Sequence, residues 1–205
     1  MPFFLFTSLK KFILPLIILF GVLIIDQLIK YQVKSTMYIG EEINVVGNWF
    51  IIHFTENNGM AFGLELGGNY GKLFLSLFRV VAVFGIAYIF YYVIVKKYHF
   101  GLITCISLIL AGALGNIVDS VFYGKIYGYA DWLHGRVVDM FYFPIIQGFY
   151  PEWFPIWAGQ EFIFFRPVFN FADAAISVGV ITIILFQNTF LKNDISKIEA
   201  EINAF

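Results

Sequence analysis

Three aspartates in apolar surroundings are the side chains of this sequence best suited to chemistry: Asp119, Asp139 and Asp173. Ionisable groups at the ends of apolar segments are costly unless they are paired, so each is a candidate functional residue. Asn116 precedes Asp119 by three residues, on the same face of a helix. Asn170 precedes Asp173 by three residues, where it can cap a helix whose dipole favours an anion. We expect the three carboxylates to lie at one depth on one side of a membrane.

Two such carboxyl groups can hydrolyse a peptide bond. When they approach closely in a poorly solvated site, both cannot ionise, and the pair holds one proton. The ionised member removes a proton from an attacking water while the protonated member protonates the carbonyl oxygen, without a metal or a covalent intermediate. The alternative is that these aspartates cap helices and pair with Lys125, Arg136 or Arg166. Spacing alone leaves both interpretations open.

Other charged groups in apolar segments have weaker signals. Asp26 and Lys30 stand four residues apart on one helical face, which suits either a structural ion pair or a group that positions substrate. Arg79 lies about two turns into an apolar segment, where its long side chain can reach the membrane surface. We therefore expect Arg79 to act as an anchor.

Other catalytic classes lack their signatures. The sequence contains neither G-x-S-x-G nor H-E-x-x-H. His53, His99 and His134 lack a paired metal-ligand spacing. The single cysteine, Cys105, lies in an apolar stretch and indicates a buried side chain. We predict no metal site and no cofactor.

The composition indicates a membrane protein. Of 205 residues, 60% are hydrophobic and 13% are charged, with a mean hydropathy of +0.80, whereas soluble domains are about half apolar and a quarter charged. The formal charge of −1 argues against nucleic-acid binding. Four segments reach the roughly 20 apolar residues that a spanning helix needs: 12–29, 73–95, 100–117 and 174–191. We predict one membrane-embedded catalytic domain over residues 1–205.

The distribution of basic residues predicts the orientation. Six lysines fall in three short segments that total 29 residues: Lys10, Lys11, Lys96, Lys97, Lys192 and Lys197. Two long segments, 30–71 and 120–168, total 91 residues and carry five basic residues. Because basic residues concentrate on the cytosolic side, we expect both termini in the cytosol and both long segments outside.

The first outer segment, about 36–71, reads as a small β-sheet cradle. Residues 43–46 and 49–54 are rich in β-branched and aromatic side chains, and Gly47-Asn48 between them is a hairpin signal. The second outer segment, about 120–168, is rich in aromatic residues, a composition typical of headgroup depth. We expect it to lie against the bilayer.

Taken together, these residues resemble the lipoprotein signal peptidases (signal peptidase II), a family of bacterial membrane aspartic peptidases. Five blocks carry the resemblance in chain order: Asp26-x-x-x-Lys30; residues 55–63, which are similar to the family's N-x-G-x-A-F block; residues 112–119, with Asn116 and Asp119; Val137-Val138-Asp139; and Phe169-Asn170-x-Ala172-Asp173.

The resemblance implies a polytopic all-α membrane protein with four transmembrane helices, a β-cradle and a loop or helix extension on the outer face. It implies that Asp139 and Asp173 are the catalytic dyad. It further implies that other residues line or support the site: Asp26, Lys30, Asn57, Gly59, Asn116, Asp119, Asn170 and Ala172. The implied substrate is a diacylglyceryl-modified prolipoprotein, cut just before the lipidated cysteine, with the hairpin 43–55 clamping over it. We expect a monomer in the inner membrane, in contact with lipids, with its site at the periplasmic face.

Two departures from the family stand out. The block ending in Asp119 usually continues with arginine, whereas this chain has Ser120, and Arg136 is our candidate substitute. The stretches 120–136 and 143–166 are also longer than the family leads us to expect. Two rival functions remain, namely an ion or proton transporter, which would favour acids at mid-membrane and paired repeats, and a non-enzymatic scaffold that binds lipoproteins.

Overall fold

Four long helices dominate a computed structural model, which describes the backbone of residues 2–58 and 68–202 and the side chains of 13–58 and 70–190. The helices are α1 (Pro2–Thr36), α2 (Gly68–Val95), α3 (Phe100–Val118), α4 (Gly124–Ile126) and α5 (Phe171–Ile202), with a π-helical turn at Asp119–Tyr123 between α3 and α4. Four stretches are long and apolar enough to cross a membrane: Ile13–Thr36, Tyr70–Val95, Phe100–Ile126 and Phe171–Phe190. The four predicted spans are thus confirmed.

Three helices continue beyond their predicted ends. The last of them, α5, was predicted to end at residue 191 and reaches Ile202; the other two are the first and the third. The first segment was expected to end at residue 29 and the third at residue 117, where charged or polar residues interrupt the apolar run. In the structure α1 reaches Thr36, and helical backbone continues through the π-helical turn to Ile126. The helices continue because the interrupting side chains, Lys30 and Asp119, are wholly buried against partners of opposite charge rather than turned to solvent. The second outer segment accordingly begins with helix.

The central helix is α3. In its apolar window 56% of residues are buried inside the protein, against 17–22% in the other three spans. Gly112 permits close packing on α5, because a Cβ there would lie 2.3 Å from the carbonyl oxygen of Ala172. Large apolar side chains on the outer helices, such as Phe74 and Ile184, are exposed and available to lipid. The other three spanning helices therefore pack around α3.

The predicted cradle is a four-stranded antiparallel sheet. Its strands are β1 (Glu42–Val46), β2 (Phe50–Asn57), β3 (Val137–Tyr142) and β6 (Val168–Phe169), in the order β1-β2-β3-β6. The hairpin turn falls at the predicted Gly47-Asn48, where Gly47 has a φ of +52° that favours glycine. In β3, Asp139 pairs with Thr55 of β2. This sheet stands at the bundle end where α3 ends and α5 begins.

A second, two-stranded sheet lies within the long aromatic segment. It consists of β4 (Ile146–Phe149) and β5 (Glu161–Phe164), which pair antiparallel. Tyr150 stacks on Phe154 between the two strands, while Trp153 and Phe149 remain exposed. The segment expected as an aromatic loop is therefore an ordered β-hairpin with exposed rings.

Candidate functional site

Asp173 is held at the start of α5 by reciprocal capping. The backbone N–H of Asp173 donates to the side-chain oxygen of Asn170 (2.9 Å), and the backbone N–H of Asn170 donates to Asp173 Oδ2 (3.3 Å). Each side chain thus satisfies a donor of the first helical turn, as in a capping box. The arrangement fixes the Asp173 carboxylate beside the positive end of the helix dipole.

Asp139 meets Asn170 from the neighbouring sheet. Its Oδ1 accepts a hydrogen bond from Asn170 Nδ2 at 2.7 Å, and its Oδ2 accepts one from Asn57 Nδ2 at 3.3 Å. Asn57 ends β2 and Asp139 lies in β3, so pairing of these strands sets their separation. Asn170 therefore contacts both Asp139 and Asp173.

The proton affinity of Asp139 reflects its surroundings. The side chain is buried, with 4% of its surface exposed. Burial, followed by the negative charge of Asp173, raises the pKa of Asp139 to about 7, against the opposing hydrogen bonds from Asn170 and Asn57. Near neutral pH this carboxyl group can therefore either hold or release a proton.

Asn116 completes what we call the amide cluster, defined by Asp139, Asp173, Asn57, Asn116 and Asn170. Its Nδ2 donates to Asp173 Oδ1 at 2.8 Å, and its side-chain oxygen accepts from Asn170 Nδ2 at 3.1 Å. The same oxygen accepts from Lys30 Nζ at 3.0 Å. Each carboxylate of the cluster thus accepts side-chain hydrogen bonds from asparagine amides.

A second group, the ammonium cluster, comprises Asp26, Lys30, Asp119 and Gln27. Lys30 is wholly buried, and its ammonium lies 2.9 Å from Asp26 Oδ2 and 2.7 Å from Asp119 Oδ2. Gln27 Nε2 donates to both carboxylates at 3.1 Å. Buried charges require this kind of pairing. The Lys30–Asp26 pair lies within α1, and the Lys30–Asp119 pair joins α1 to the end of α3.

Backbone contacts tie the two clusters together. The N–H of Ala172, one residue before Asp173, donates to Asp26 Oδ1 at 2.9 Å. The N–H of Val138, one residue before Asp139, donates to Asp119 Oδ2 at 3.3 Å. The ammonium cluster therefore fixes the two segments that carry the carboxylates of the amide cluster.

The structure brings most of the predicted site residues together. They are Asp26, Lys30, Asn57, Asn116, Asp119, Asp139, Asn170, Ala172 and Asp173. Gly59 lies outside the described residues. The individual roles implied by the resemblance stay predictions. In the part of the chain with described side chains, no group of three or more His, Cys, Asp or Glu residues is arranged to hold a metal ion.

Arg136 and Arg79 both contact protein groups, and the role of Arg136 in the site stays a prediction. Arg136, the candidate substitute for the missing arginine, is half exposed and pairs with Glu56 at 3.3 Å, and its backbone N–H donates to the Tyr129 hydroxyl. Arg79 was expected to reach the membrane surface, and that expectation is wrong. Its Nη1 donates to Ser120 Oγ at 3.0 Å, and Ser120 is wholly buried. The Arg79 guanidinium is therefore bonded to a buried acceptor within the protein.

Sequence reasoning missed Gln27. Besides its bonds to Asp26 and Asp119, its Nε2 approaches the Gly115 carbonyl oxygen at 3.2 Å, and its Oε1 accepts from the Tyr123 hydroxyl at 3.0 Å. We weighed only ionisable groups within apolar segments, whereas an amide there also needs hydrogen-bond partners. Applying the same criterion to neutral polar side chains finds Gln27.

Comparisons with known proteins identify relatives that match most of the chain. A family model described as signal peptidase (SPase) II matches residues 18–189. The lipoprotein signal peptidase of Porphyromonas gingivalis is 50% identical over 191 residues, covering 85% of this chain and 82% of that protein. That of Amoebophilus asiaticus is 39% identical, covering 86% of this chain and 78% of its own length. That of Staphylococcus aureus (strain MRSA252) is 31% identical, covering 94% and 98%.

Two solved structures are similar as well. Both are described as bacterial membrane enzymes determined by the in meso method, at 2.3 Å and 1.9 Å resolution. The first has a TM-score of 0.57 and 28% identity and covers 85% of this chain and 88% of its own. The second has a TM-score of 0.57 and 27% identity and covers 83% and 90%.

Proposed function

The chain belongs to the signal peptidase II family, a family of membrane peptidases that process the signal peptides of lipoproteins, and we propose that it is an aspartic endopeptidase with Asp139 and Asp173 as its catalytic dyad. The observation that carries this proposal is the position of Asn170. Its side-chain amide nitrogen lies 2.7 Å from Asp139 Oδ1, and its side-chain oxygen accepts a hydrogen bond from the backbone N–H of Asp173. Two carboxyl groups from distant parts of the chain thus accept hydrogen bonds from the same asparagine.

The two acids lie in different surroundings. Asp139 is buried in a strand, with a pKa raised to about 7, which suits a group that donates a proton at neutral pH. Asp173 lies in the first turn of α5, where the helix dipole stabilises negative charge. We assign Asp139 as the general acid and Asp173 as the general base.

In this mechanism the dyad moves protons without forming a covalent intermediate. Asp173 takes a proton from a water molecule while the oxygen of that water bonds to the scissile carbonyl carbon. Asp139 protonates the carbonyl oxygen. Collapse of the tetrahedral intermediate breaks the C–N bond. Asp173 then gives its proton to the leaving amine, and Asp139 recovers a proton from the intermediate's hydroxyl. Both acids return to their starting states.

The proposed substrate is a prolipoprotein whose cysteine carries a diacylglyceryl group, cut just before that cysteine. Acyl chains hold such a cysteine at the membrane surface. The amide cluster lies at the ends of the apolar spans, where α3 ends and α5 begins. A bond anchored at this depth would be positioned for attack through remote binding energy.

We further propose the bacterial inner membrane as the location, with cytosolic termini and the site on the periplasmic side. The concentration of lysines in the short segments supports this orientation. The β1–β2 hairpin would cover the substrate, and its exposed Ile43, Val45 and Trp49 offer apolar surface to it. The exposed rings of the β4–β5 hairpin would contact lipid headgroups. We expect the active form to be a monomer.

The test is cleavage by the purified full chain of two forms of one prolipopeptide, with and without the diacylglyceryl group. We expect cleavage of the lipidated form alone, at the bond preceding the cysteine. Cleavage of both forms at equal rates would indicate a peptidase that does not read the lipid. No cleavage of either, by a folded protein that binds the lipidated form, would favour a scaffold.

A further inference from the structure

A polar face runs along α2 toward the site. Lys72, Ser76 and Arg79 follow one another at intervals of four and three residues, which places them on one side of the helix. Ser76 is wholly buried, and its hydroxyl donates to the Leu133 carbonyl oxygen at 2.6 Å. Lys72 is also buried and donates to the Asn58 carbonyl oxygen at 2.9 Å. This face of α2 therefore packs against protein rather than lipid.

Arg79 brings a positive charge to the carboxylates from this face. Its guanidinium donates to the hydroxyl of Ser120 at 3.0 Å. It also interacts electrostatically with the acidic groups of the site, most strongly with Asp173, then with Asp139 and Asp119. Arg79 is thus a cation near the amide cluster that none of the matching sequence blocks contains.

Ser120 explains why the guanidinium can come from α2. The family's third block usually continues Asp-Arg, whereas this chain has a small hydroxyl side chain after Asp119. A serine leaves the volume that an arginine would occupy, and its oxygen can accept a hydrogen bond from an incoming guanidinium. The alternative donor, Arg136, is engaged with Glu56 at 3.3 Å and stacks over Tyr129.

We propose that Arg79 is a positioning residue for the reaction: held by Ser120, its guanidinium stabilises negative charge on the Asp173 carboxylate and so leaves the shared proton on Asp139. This inference rests on the proposed aspartic mechanism. An arginine suits the role because its guanidinium stays charged at any physiological pH and offers several donors in a fixed plane. The cation lost after Asp119 is, on this account, supplied from another helix.

Several other charges face the same site and must be held constant in the test. Lys30 and Asp26 reach it from α1, Lys72 from α2, Asp119 from the end of α3, and Glu56 and Arg136 from the sheet. The variants below alter none of these groups, apart from Arg136 in a separate comparison.

The first test is the pH–rate profile of Arg79→Gln with the lipidated prolipopeptide. We expect kcat to fall by about tenfold to a hundredfold with little change in KM, because the interaction acts on the reacting groups. The fall in rate at low pH, the acid limb of the profile, should move to higher pH, because a carboxylate that loses a nearby cation binds protons more readily. Arg79→Lys, which keeps the charge, should recover part of kcat and most of the limb position.

The second test moves the arginine from position 79 to position 120. Adding Ser120→Arg to Arg79→Gln should restore both kcat and the acid limb, because the guanidinium returns next to Asp119. Ser120→Ala, which removes only the hydroxyl acceptor, should shift the limb in the same direction by less, and it gives the readout if Arg79→Gln does not accumulate. Lys125→Gln, at an exposed pair with Asp131, is the matched control for loss of a cation and should match the unmodified protein.

The outcomes separate this inference from the proposed function. If the unmodified protein does not cleave the lipidated substrate, the proposed function fails. If it does, and Arg79→Gln and Ser120→Ala keep the normal profile, the role of Arg79 alone is refuted. An acid-limb shift in Arg136→Gln but not in Arg79→Gln would assign the role to Arg136 and overturn the proposal.

Discussion

Two pairs of aspartates lie next to each other in this protein, with opposite surroundings. In the ammonium cluster, Asp26 and Asp119 both contact the buried Lys30 ammonium, at 2.9 and 2.7 Å. In the amide cluster, Asp139 and Asp173 accept side-chain hydrogen bonds from neutral asparagines, at distances from 2.7 to 3.3 Å. A buried cation pairs directly with the first two carboxylates, whereas burial and the neighbouring Asp173 raise the pKa of Asp139 to about 7. On the proposed mechanism, the first pair has a structural role and the second pair transfers protons.

The strongest test of this division replaces each acid by its amide. Asp139→Asn and Asp173→Asn should each lower cleavage of the lipidated prolipopeptide by about 10²- to 10⁴-fold, the usual contribution of general acid–base catalysis, because an amide can neither accept nor transfer the proton. Initial rates and thermal unfolding of the purified variants measure the two effects. We expect unfolding temperatures close to that of the unmodified protein.

Asp131→Asn is the matched control for this substitution. Its carboxylate is 87% exposed and lies 3.7 Å from Lys125, so cleavage should not change. Near-normal cleavage by either dyad variant would contradict the proposal that the amide cluster transfers protons.

The next largest effect is on stability. Lys30→Met should lower the free energy of unfolding by about 3–5 kcal/mol, because it leaves two carboxylates buried without their cation. Chemical unfolding in detergent micelles measures the change. Lys125→Met, at an exposed ion pair, should change it by about 1 kcal/mol or less. Equal stability of the Lys30 and Lys125 variants would show that the ammonium cluster is not structural.

A smaller effect is expected from crowding the ammonium cluster. A Cβ on Gly115 would lie 2.6 Å from Asp26 Oδ2, so Gly115→Ala should cost about 1–3 kcal/mol of stability by displacing that carboxylate. Gly85→Ala is the control, because nothing lies within 4 Å of its added Cβ. If both variants unfold at the same temperature, Asp26 is not held as closely as the structure indicates.

The smallest effect concerns the proton on Asp139. Asn57 donates to Asp139 Oδ2 at 3.3 Å and thereby favours the carboxylate. Removing this donor in Asn57→Ala should raise the pKa of Asp139 further. Since the mechanism needs Asp139 protonated, the pH at which activity declines should move upward. A downward shift in the pH–rate profile would contradict the assignment of Asp139 as the acid.

Much of the fold could be predicted from local sequence. Apolar runs located all four spans, and the Gly47-Asn48 pair located the hairpin turn. The helix ends could not be read in this way, because Lys30 appears as a charge that ends an apolar run and only the fold shows it buried between two acids. The distances between residues of the clusters depend on how α1, β2, α3, the π-helical turn, β3 and α5 meet, which no local sequence pattern specifies.

Site residues that belong to sequence motifs could be predicted, whereas those outside any motif could not. The five blocks of the resemblance contain every residue of the two clusters except Gln27. The prediction for Arg79 was wrong because it used only the position of the residue along the apolar segment and not the side of the helix on which it lies. Its spacing from Lys72 and Ser76 indicates a polar face turned toward protein, and that signal was available in the sequence.

The central claim, that one proton is held between Asp139 and Asp173, is tested most directly by the pH–rate profile of the unmodified protein. Single-turnover cleavage of the lipidated prolipopeptide should be measured from pH ~5 to ~9, where general acid–base catalysis gives a bell-shaped dependence. The two apparent pKa values of this profile describe the dyad as a pair and not either aspartate alone. We expect activity to fall as pH rises through about 7, because Asp139 then loses its proton. A rate that stays constant or keeps rising above that pH would contradict the account.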